Sequence, residues 1–238
     1  MFCYNCGTEL PEGAKFCFKC GKTVADNAGI VHKKDRAIKR ERKKNMKIVV
    51  AALVADLCRE SAAKGCTVFV DPVMGDNGAL YAGFTPAFVE KMRGLCKQAN
   101  YILPNETEAA FLSALPYPLP HPEEAIEKLK TLCSRPIITG VEQDKIISVH
   151  YADGRGVCRR FPTERVAGFF PGSGDIFASV FVGALAKGKS QEQAVALATD
   201  FTTAAIRRSK TEVEDKRYGL NFEKEIYTLL KKLNGDNA

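Results

Sequence analysis

Two short repeats near the start constrain the fold more than any other feature of the chain. Cys3-Tyr4-Asn5-Cys6-Gly7 and Cys17-Phe18-Lys19-Cys20-Gly21 share one CxxCG spacing, with ten residues between Cys6 and Cys17. A CxxC turn sets two sulfurs on one side, and the glycine after it permits a left-handed backbone. Four thiolates match the tetrahedral preference of Zn²⁺. Roughly twenty residues cannot bury a core, so the metal is expected to supply the folding energy. A redox or disulfide pair is the alternative, and the doubled motif favours zinc. With Cys3, Cys6, Cys17 and Cys20 all engaged, no ligand position is left for chemistry, so the site reads as structural.

Residues 1–23 resemble the short bacterial zinc-ribbon family, in which the ribbon is an appended module. The other five cysteines, Cys58, Cys66, Cys96, Cys133 and Cys158, are scattered among apolar residues. They read as buried thiols in a reducing compartment, which makes a cytoplasmic address the expectation. The opening MFCYNCGTEL has no basic or apolar segment of the signal-peptide kind. The longest uncharged apolar run, Ile176 to Ala186, has 11 residues, whereas a spanning helix needs roughly 20. The net charge of +7 is local: His32 to Lys47 holds nine basic and two acidic residues. No aromatic residues interleave with these charges, so nucleic acid is not an expected partner. The chain thus divides into a ribbon (1–24), a basic linker (25–45) and an α/β domain (46–238).

Within the domain, residues 48–64 suit a helix and 67–70 a short buried strand. Thr85-Pro86 opens a helix whose buried face is Phe88, Val89, Met92, Leu95 and Cys96. Tyr101 to Leu103 reads as a strand. Asn105 with Glu108 three residues later resembles a capping box. A stiff loop at 116–122 precedes a helix at 123–134 and a strand at 136–139. Strands at 145–150 and 157–161 form an expected peripheral hairpin. Helices are expected near 175–187, 190–208 and 222–233. Five strands against seven helices is a strand deficit. Either the domain is helix-heavy or part of its sheet is missing from this chain.

Two glycine-rich stretches compete as phosphate cradles. Gly172-Ser173-Gly174-Asp175 directly precedes an apolar helix, where backbone N–H groups and the helix dipole favour an anion. Asp175 there is either a proton acceptor or simply the cap of its helix. Gly183 to Ser190 matches the Walker A pattern letter for letter. However, Ala184-Leu185-Ala186 continue the preceding helix, Gly188 reads as its end, and Ser190 reads as the next helix's cap.

An ordered set of motifs then fixes a resemblance. Val70 to Tyr81 (VDPVMGDNGALY), Leu103 to Glu108 (LPNETE), Ile138-Thr139-Gly140 and Gly172 to Asp175 (GSGD) follow one another. Together they resemble the ribokinase-like superfamily, and within it the pyridoxal/pyridoxamine kinases. Hydroxymethylpyrimidine kinases also carry a DPVM segment. The resemblance runs from about residue 46 to about 234 and includes Tyr218 to Glu225. It implies that Asp175 takes the proton of a substrate hydroxymethyl group. It also implies that the amides of Gly172, Ser173 and Gly174 stabilise the transferring phosphoryl group. Asp71, Asn105 and Glu108 match positions that organise Mg²⁺ and the phosphates of ATP, and Thr139 matches a phosphate contact. Residues 75–81 match a loop that closes over ATP, with Tyr81 near the nucleotide.

The family fold opens with further strands and helices, and here the ribbon and linker stand in their place. The fold class implied is a truncated ribokinase-like parallel α/β sheet, without the N-terminal part of the fold, preceded by a zinc ribbon. The function implied is ATP-dependent phosphorylation of pyridoxal, pyridoxine or pyridoxamine. A second chain completing the sheet as a homodimer is the partner implied. The alternative is a non-catalytic remnant or an interaction module.

Overall fold

A computed structural model describes residues 2–22 except 4 and 13, 46–212 except 48 and 145, and 219–234. The expected basic linker and Tyr218 lie outside the described residues. The chain divides into two compact units, residues 1–50 and 51–238.

In the first unit the two knuckles fold alike. Gly7 and Gly21 sit at φ +70° and +72°. Their N–H groups donate to the Cys3 and Cys17 carbonyls, both at 2.8 Å. Cys3, Leu10 and Cys17 form a miniature core. Phe2, Phe16 and Phe18 stay outside it, at 61–77% exposure.

The second unit opens with helix α1 (51–63), followed by β1 (Phe69–Val70), β2 (Gly75–Asp76), β3 (Ala79–Leu80) and α2 (Pro86–Cys96). Next come β4 (Tyr101–Ile102), α3 (Glu106–Ser113), α4 (Pro122–Leu129), β5 (Ile137–Gln143), β6 (Ile146–Ala152) and β7 (Cys158–Glu164). Helices α5 (Ser173–Ala186), α6 (Gln191–Glu212) and α7 (Ile226–Asn234) complete it. The expected helices are present, with shifted ends. Helix α6 runs past 208 because Arg208 pairs with Glu212 one turn on, at 2.8 Å.

β1 and β4 pair in parallel. Single parallel bridges, Ile102 to Pro136 and Asn105 to Thr139, carry the pairing on to β5. β5, β6 and β7 are antiparallel neighbours. The order is therefore β1-β4-β5-β6-β7, parallel at one end and antiparallel at the other. The β6–β7 hairpin is more than peripheral, because Ser148 to Ala152 of β6 are buried. β2 and β3 form a separate hairpin within 75–81, the segment that the resemblance gave as a loop.

Strand alternation sorts the core into two faces. Ile137 and its partner Tyr151 pack with Phe177, Phe181, Ala194, Val195 and Ala198 of α5 and α6. Tyr101 anchors this face, stacked on Phe69 at 4.9 Å and meeting Phe181 edge-on at 5.5 Å. The alternate pair, Ile138 and His150, points to the other face, where the His150 ring nitrogen Nδ1 lies 4.0 Å from Glu123 of α4.

One edge of this sheet is open among the described residues. The parallel register of β1 directs the backbone groups of Val68 and Val70 toward β4. The N–H and C=O of Phe69 consequently face the other way. Helix α1 is also only partly covered. Its small residues Ala51, Ala55 and Cys58 turn inward, whereas Leu53 and Leu57 are 63% and 62% exposed and Val54 lies beside them. Among the described residues no helix is long and apolar enough to cross a membrane.

Candidate active site

The site grows from the turn after β1. Pro72 lacks an N–H and ends that strand, and Val73 N–H donates to the Asp71 carbonyl at 2.9 Å, bending the chain toward α3. The expected capping box is present there. Asn105 Oδ1 accepts from the Glu108 N–H at 2.9 Å, and Glu108 Oε2 accepts from the Asn105 N–H at 3.0 Å. The same pair grips the 74–75 segment. Glu108 Oε1 accepts from the Met74 and Gly75 N–H groups at 2.9 and 3.4 Å. Asn105 Nδ2 donates to the Gly75 carbonyl at 2.9 Å. Gly75 allows this close approach, since a Cβ there would meet the Ala79 carbonyl oxygen at 2.6 Å.

The second wall is the start of α5. Gly172 is its N-cap, at φ +85°, and no side chain caps the helix. Asp175, in the first turn, is therefore not the cap that the sequence allowed it to be. Ser173 N–H reaches the Phe170 carbonyl at 3.4 Å and Ile176 N–H reaches the Gly172 carbonyl at 3.0 Å. The Gly174 and Asp175 N–H groups have no acceptor among the described residues, which leaves the positive end of the helix available to an anion.

Charge links the two walls. Burial pushes the Asp71 carboxyl up to about 6, and the Asp175 charge adds to the shift. Burial likewise pushes Glu108 up to about 7 against its three N–H bonds, with Asp71 adding. Burial raises the Tyr81 hydroxyl, and the charges of Asp76, Glu108, Asp71 and Asp175 raise it further. Among the described residues, none of Asp71, Glu108 and Asp175 pairs with a Lys or Arg. Thr139 joins through the backbone: its N–H donates to the Pro104 carbonyl at 2.9 Å and it bridges to Asn105. It sits where β5 shifts register, beside Gly140 at φ +69°.

The structure thus joins Asn105, Glu108 and Thr139 through capping and backbone contacts, and puts Asp71 and Tyr81 within reach of the Asp175 charge. Sequence reasoning missed the residues that hold the β2–β3 hairpin. Gly78 N–H donates to Thr107 Oγ1 at 2.9 Å. A Cβ on Gly78 would meet the Tyr117 ring at 2.6 Å. Glu106 Oε1 accepts from the Leu119 N–H at 3.0 Å, fixing the loop that carries Tyr117. These partners come from distant positions, and no local pattern announces them.

The Walker-like stretch makes no phosphate loop. Helix α5 runs through Gly183 to Ala186, and Gly188 follows at φ +79°. Ser190 then caps α6 reciprocally with Gln193, at 2.9 and 3.2 Å.

In the first unit, the Sγ atoms of Cys3, Cys6, Cys17 and Cys20 all lie within 4.8 Å of one another. Cys3 and Cys20 approach to 3.5 Å, Cys6 and Cys17 to 3.6 Å. Those separations fit a tetrahedron with bonds of about 2.3 Å, so the donor set suits a structural zinc.

Known proteins match both units. Residues 2–24 match a zinc-ribbon domain, and residues 44–221 match the phosphomethylpyrimidine kinase family. No curated protein matches the chain. Among solved structures, pyridoxal kinase from Lactobacillus plantarum is 30% identical with a TM-score of 0.66, over 72% of this chain and 64% of that one. A Bacteroides thetaiotaomicron protein assigned as a phosphomethylpyrimidine kinase, in a crystal form with pyridoxal, is 32% identical with a TM-score of 0.68, over 75% and 66%. Pyridoxal kinase from Leishmania donovani in complex with ADP is 25% identical with a TM-score of 0.64, over 79% and 67%. The chain spans 64% and 66% of the first two relatives, just under two thirds of their length. With the ordered motifs, the mixed sheet and the family match in agreement, the chain belongs to the phosphomethylpyrimidine kinase family, a ribokinase-like α/β fold, and carries a zinc-ribbon domain ahead of it.

Proposed function

We propose that the chain is the ATP-binding, proton-abstracting part of a kinase for the hydroxymethyl group of pyridoxal, pyridoxine or pyridoxamine. The observation that carries this reading is the α5 start, where Gly172 caps the helix in a left-handed conformation and the Gly174 and Asp175 amides have no acceptor among the described residues, with the buried Asp71 carboxyl within reach of the Asp175 charge. Asp175 takes the proton from the substrate hydroxyl as the phosphoryl group moves. In this reading the amides of Gly172, Ser173 and Gly174 face the charge that builds on the transferring group, with Ser173 giving up its long 3.4 Å bond to the Phe170 carbonyl. Thr139 and Tyr81 line the phosphate and nucleotide sides.

The residues fit a magnesium ion carried with ATP. Asp71, whose carboxyl burial raises to about 6, would offer the ion a hard oxygen donor, with Asn105 and Glu108 holding the turn beside it. When bound, the ion neutralises phosphate charge. The thiamine precursor hydroxymethylpyrimidine is the competing substrate of the same chemistry. A cytoplasmic location accompanies this reading, since a four-thiolate zinc site needs reduced cysteines.

Turnover in this proposal requires a second chain, in the simplest case another copy, to complete the sheet. The open Phe69 edge and the exposed Leu53 and Leu57 support that part of the reading. Misplacing a reacting atom by about 1 Å costs about a hundredfold, so the isolated monomer is expected to phosphorylate pyridoxal very weakly or not at all. The test is phosphorylation of the three B6 vitamers and of hydroxymethylpyrimidine by purified protein of measured oligomeric state. Any activity should vanish in Asp175→Ala. Relative-like turnover by a verified monomer refutes the incomplete-sheet argument, and turnover that survives Asp175→Ala refutes the base. A second reading, a non-catalytic interaction module, is favoured by the three exposed phenylalanines of the ribbon.

A further inference from the structure

We infer that Glu108 is a positioning residue whose carboxylate holds the Asp71–Gly75 segment, and that it does not ligate the cation of the nucleotide. This deepens the phosphoryl-transfer reading and rests on it only in its nucleotide-binding arm. Glu108 is 2% exposed. Both its oxygens are engaged: Oε1 by the Met74 and Gly75 N–H groups, Oε2 by the Asn105 N–H. A carboxylate offers about four acceptor sites, and three are filled by backbone. Turning Oε1 toward a cation would strand two buried N–H groups.

The grip is two-sided at one residue. Gly75 gives its N–H to Glu108 and receives the Asn105 amide on its carbonyl. Both polar groups of its backbone are therefore held by the first turn of α3, as a neighbouring strand would hold them. No other residue type fits, because a Cβ would strike the Ala79 carbonyl. Asp71 lies four residues upstream on the same short turn, so fixing Gly75 fixes the direction from which Asp71 meets Asp175. Asp71, which makes no such backbone contacts among the described residues, is the carboxylate left for the ion.

Amide hydrogen exchange on the full chain, resolved at Met74 and Gly75, tests this with and without MgADP. In the wild type both amides should be slow, and MgADP should leave them slow or slower. Glu108→Ala should speed both by roughly tenfold or more. Glu108→Gln should keep them much slower than Glu108→Ala does, because its amide oxygen can still accept from both, although its NH2 gives up the bond from the Asn105 N–H. The Mg²⁺ concentration needed for ADP binding should shift in Asp71→Asn and stay put in Glu108→Gln. Faster exchange at Met74 and Gly75 on adding MgADP would overturn the inference. So would a Glu108→Gln shift in Mg²⁺ requirement as large as that of Asp71→Asn. If no form of the protein binds ADP, the kinase reading fails, while the exchange rates of the two variants still decide the role of Glu108.

Discussion

Replacing Asp71 with Asn should make the protein more stable, in a way that depends on pH. Asp71 stands at about 6 against an ordinary 3.8, through burial first and the Asp175 charge second. A raised acid pKa means that the folded protein holds the proton more tightly than the unfolded chain does. The group's contribution thus favours the fold below about pH 4 and is lost as pH rises through about 6. Above that, the ionised carboxylate costs about 3 kcal/mol at full weight. Screening by water at a partly exposed group reduces this to about 1–2 kcal/mol. Asn keeps the shape and removes the charge. Urea unfolding of both proteins at pH 5 and pH 8, without added Mg²⁺, measures the difference. The Asn variant should lead at pH 8, its lead should shrink at pH 5, and Mg²⁺ at pH 8 should narrow the gap by stabilising the wild type. An Asn variant that is no more stable at pH 8, or a gap that does not grow with pH, would show that Asp71 is not held as a buried, raised carboxyl as described.

Cys17→Ser should abolish zinc binding, while Cys96→Ser, buried in the second unit, should leave about one zinc per chain by elemental analysis. Lys189→Ala should leave any ATP affinity within a few-fold, since the residue links two helices; a large loss would restore the Walker reading. Gly78→Ala should destabilise by about 1–2 kcal/mol, from a left-handed backbone and a Cβ driven into the Tyr117 ring. Adding Tyr117→Ala should recover the steric part, and strictly additive losses in the double mutant would contradict the contact.

What the sequence made legible was local. The Asn105–Glu108 capping box, Pro86 opening α2, the buried face from Phe88 to Cys96 and the Ser190 cap all depend on residues a turn apart, and all are where their spacing placed them. What it hid was non-local. The β2–β3 hairpin depends on Thr107 and Tyr117, and β6 depends on β5 for its burial. The carboxylate of Glu108 shows as a cap in sequence, but its grip on Met74 and Gly75 needs a partner more than thirty residues away. Asp175 was ambiguous for a different reason. A GSGD turn allows an aspartate to cap or to face a ligand, and only the left-handed Gly172 at the cap decides between them.

The strand deficit was legible as a number but not as a place. Counting could not tell where such a deficit would fall; among the described residues β1 pairs with β4 alone, so the side beside Phe69 is the open edge. That location separates two properties of the chain. The hydrogen bonds that hold the 74–75 segment, α3 and Thr139 together involve no strand beyond β1 among the described residues. The Phe69 backbone, without a strand partner among the described residues, belongs instead to the open side, and α1 separately exposes Leu53 and Leu57. The nucleotide side can therefore be assembled in a single chain while the open side still favours association. Nucleotide binding and oligomeric state are independent measurements on this protein, and binding by a monomer would be consistent with a site formed entirely on the closed side of β1.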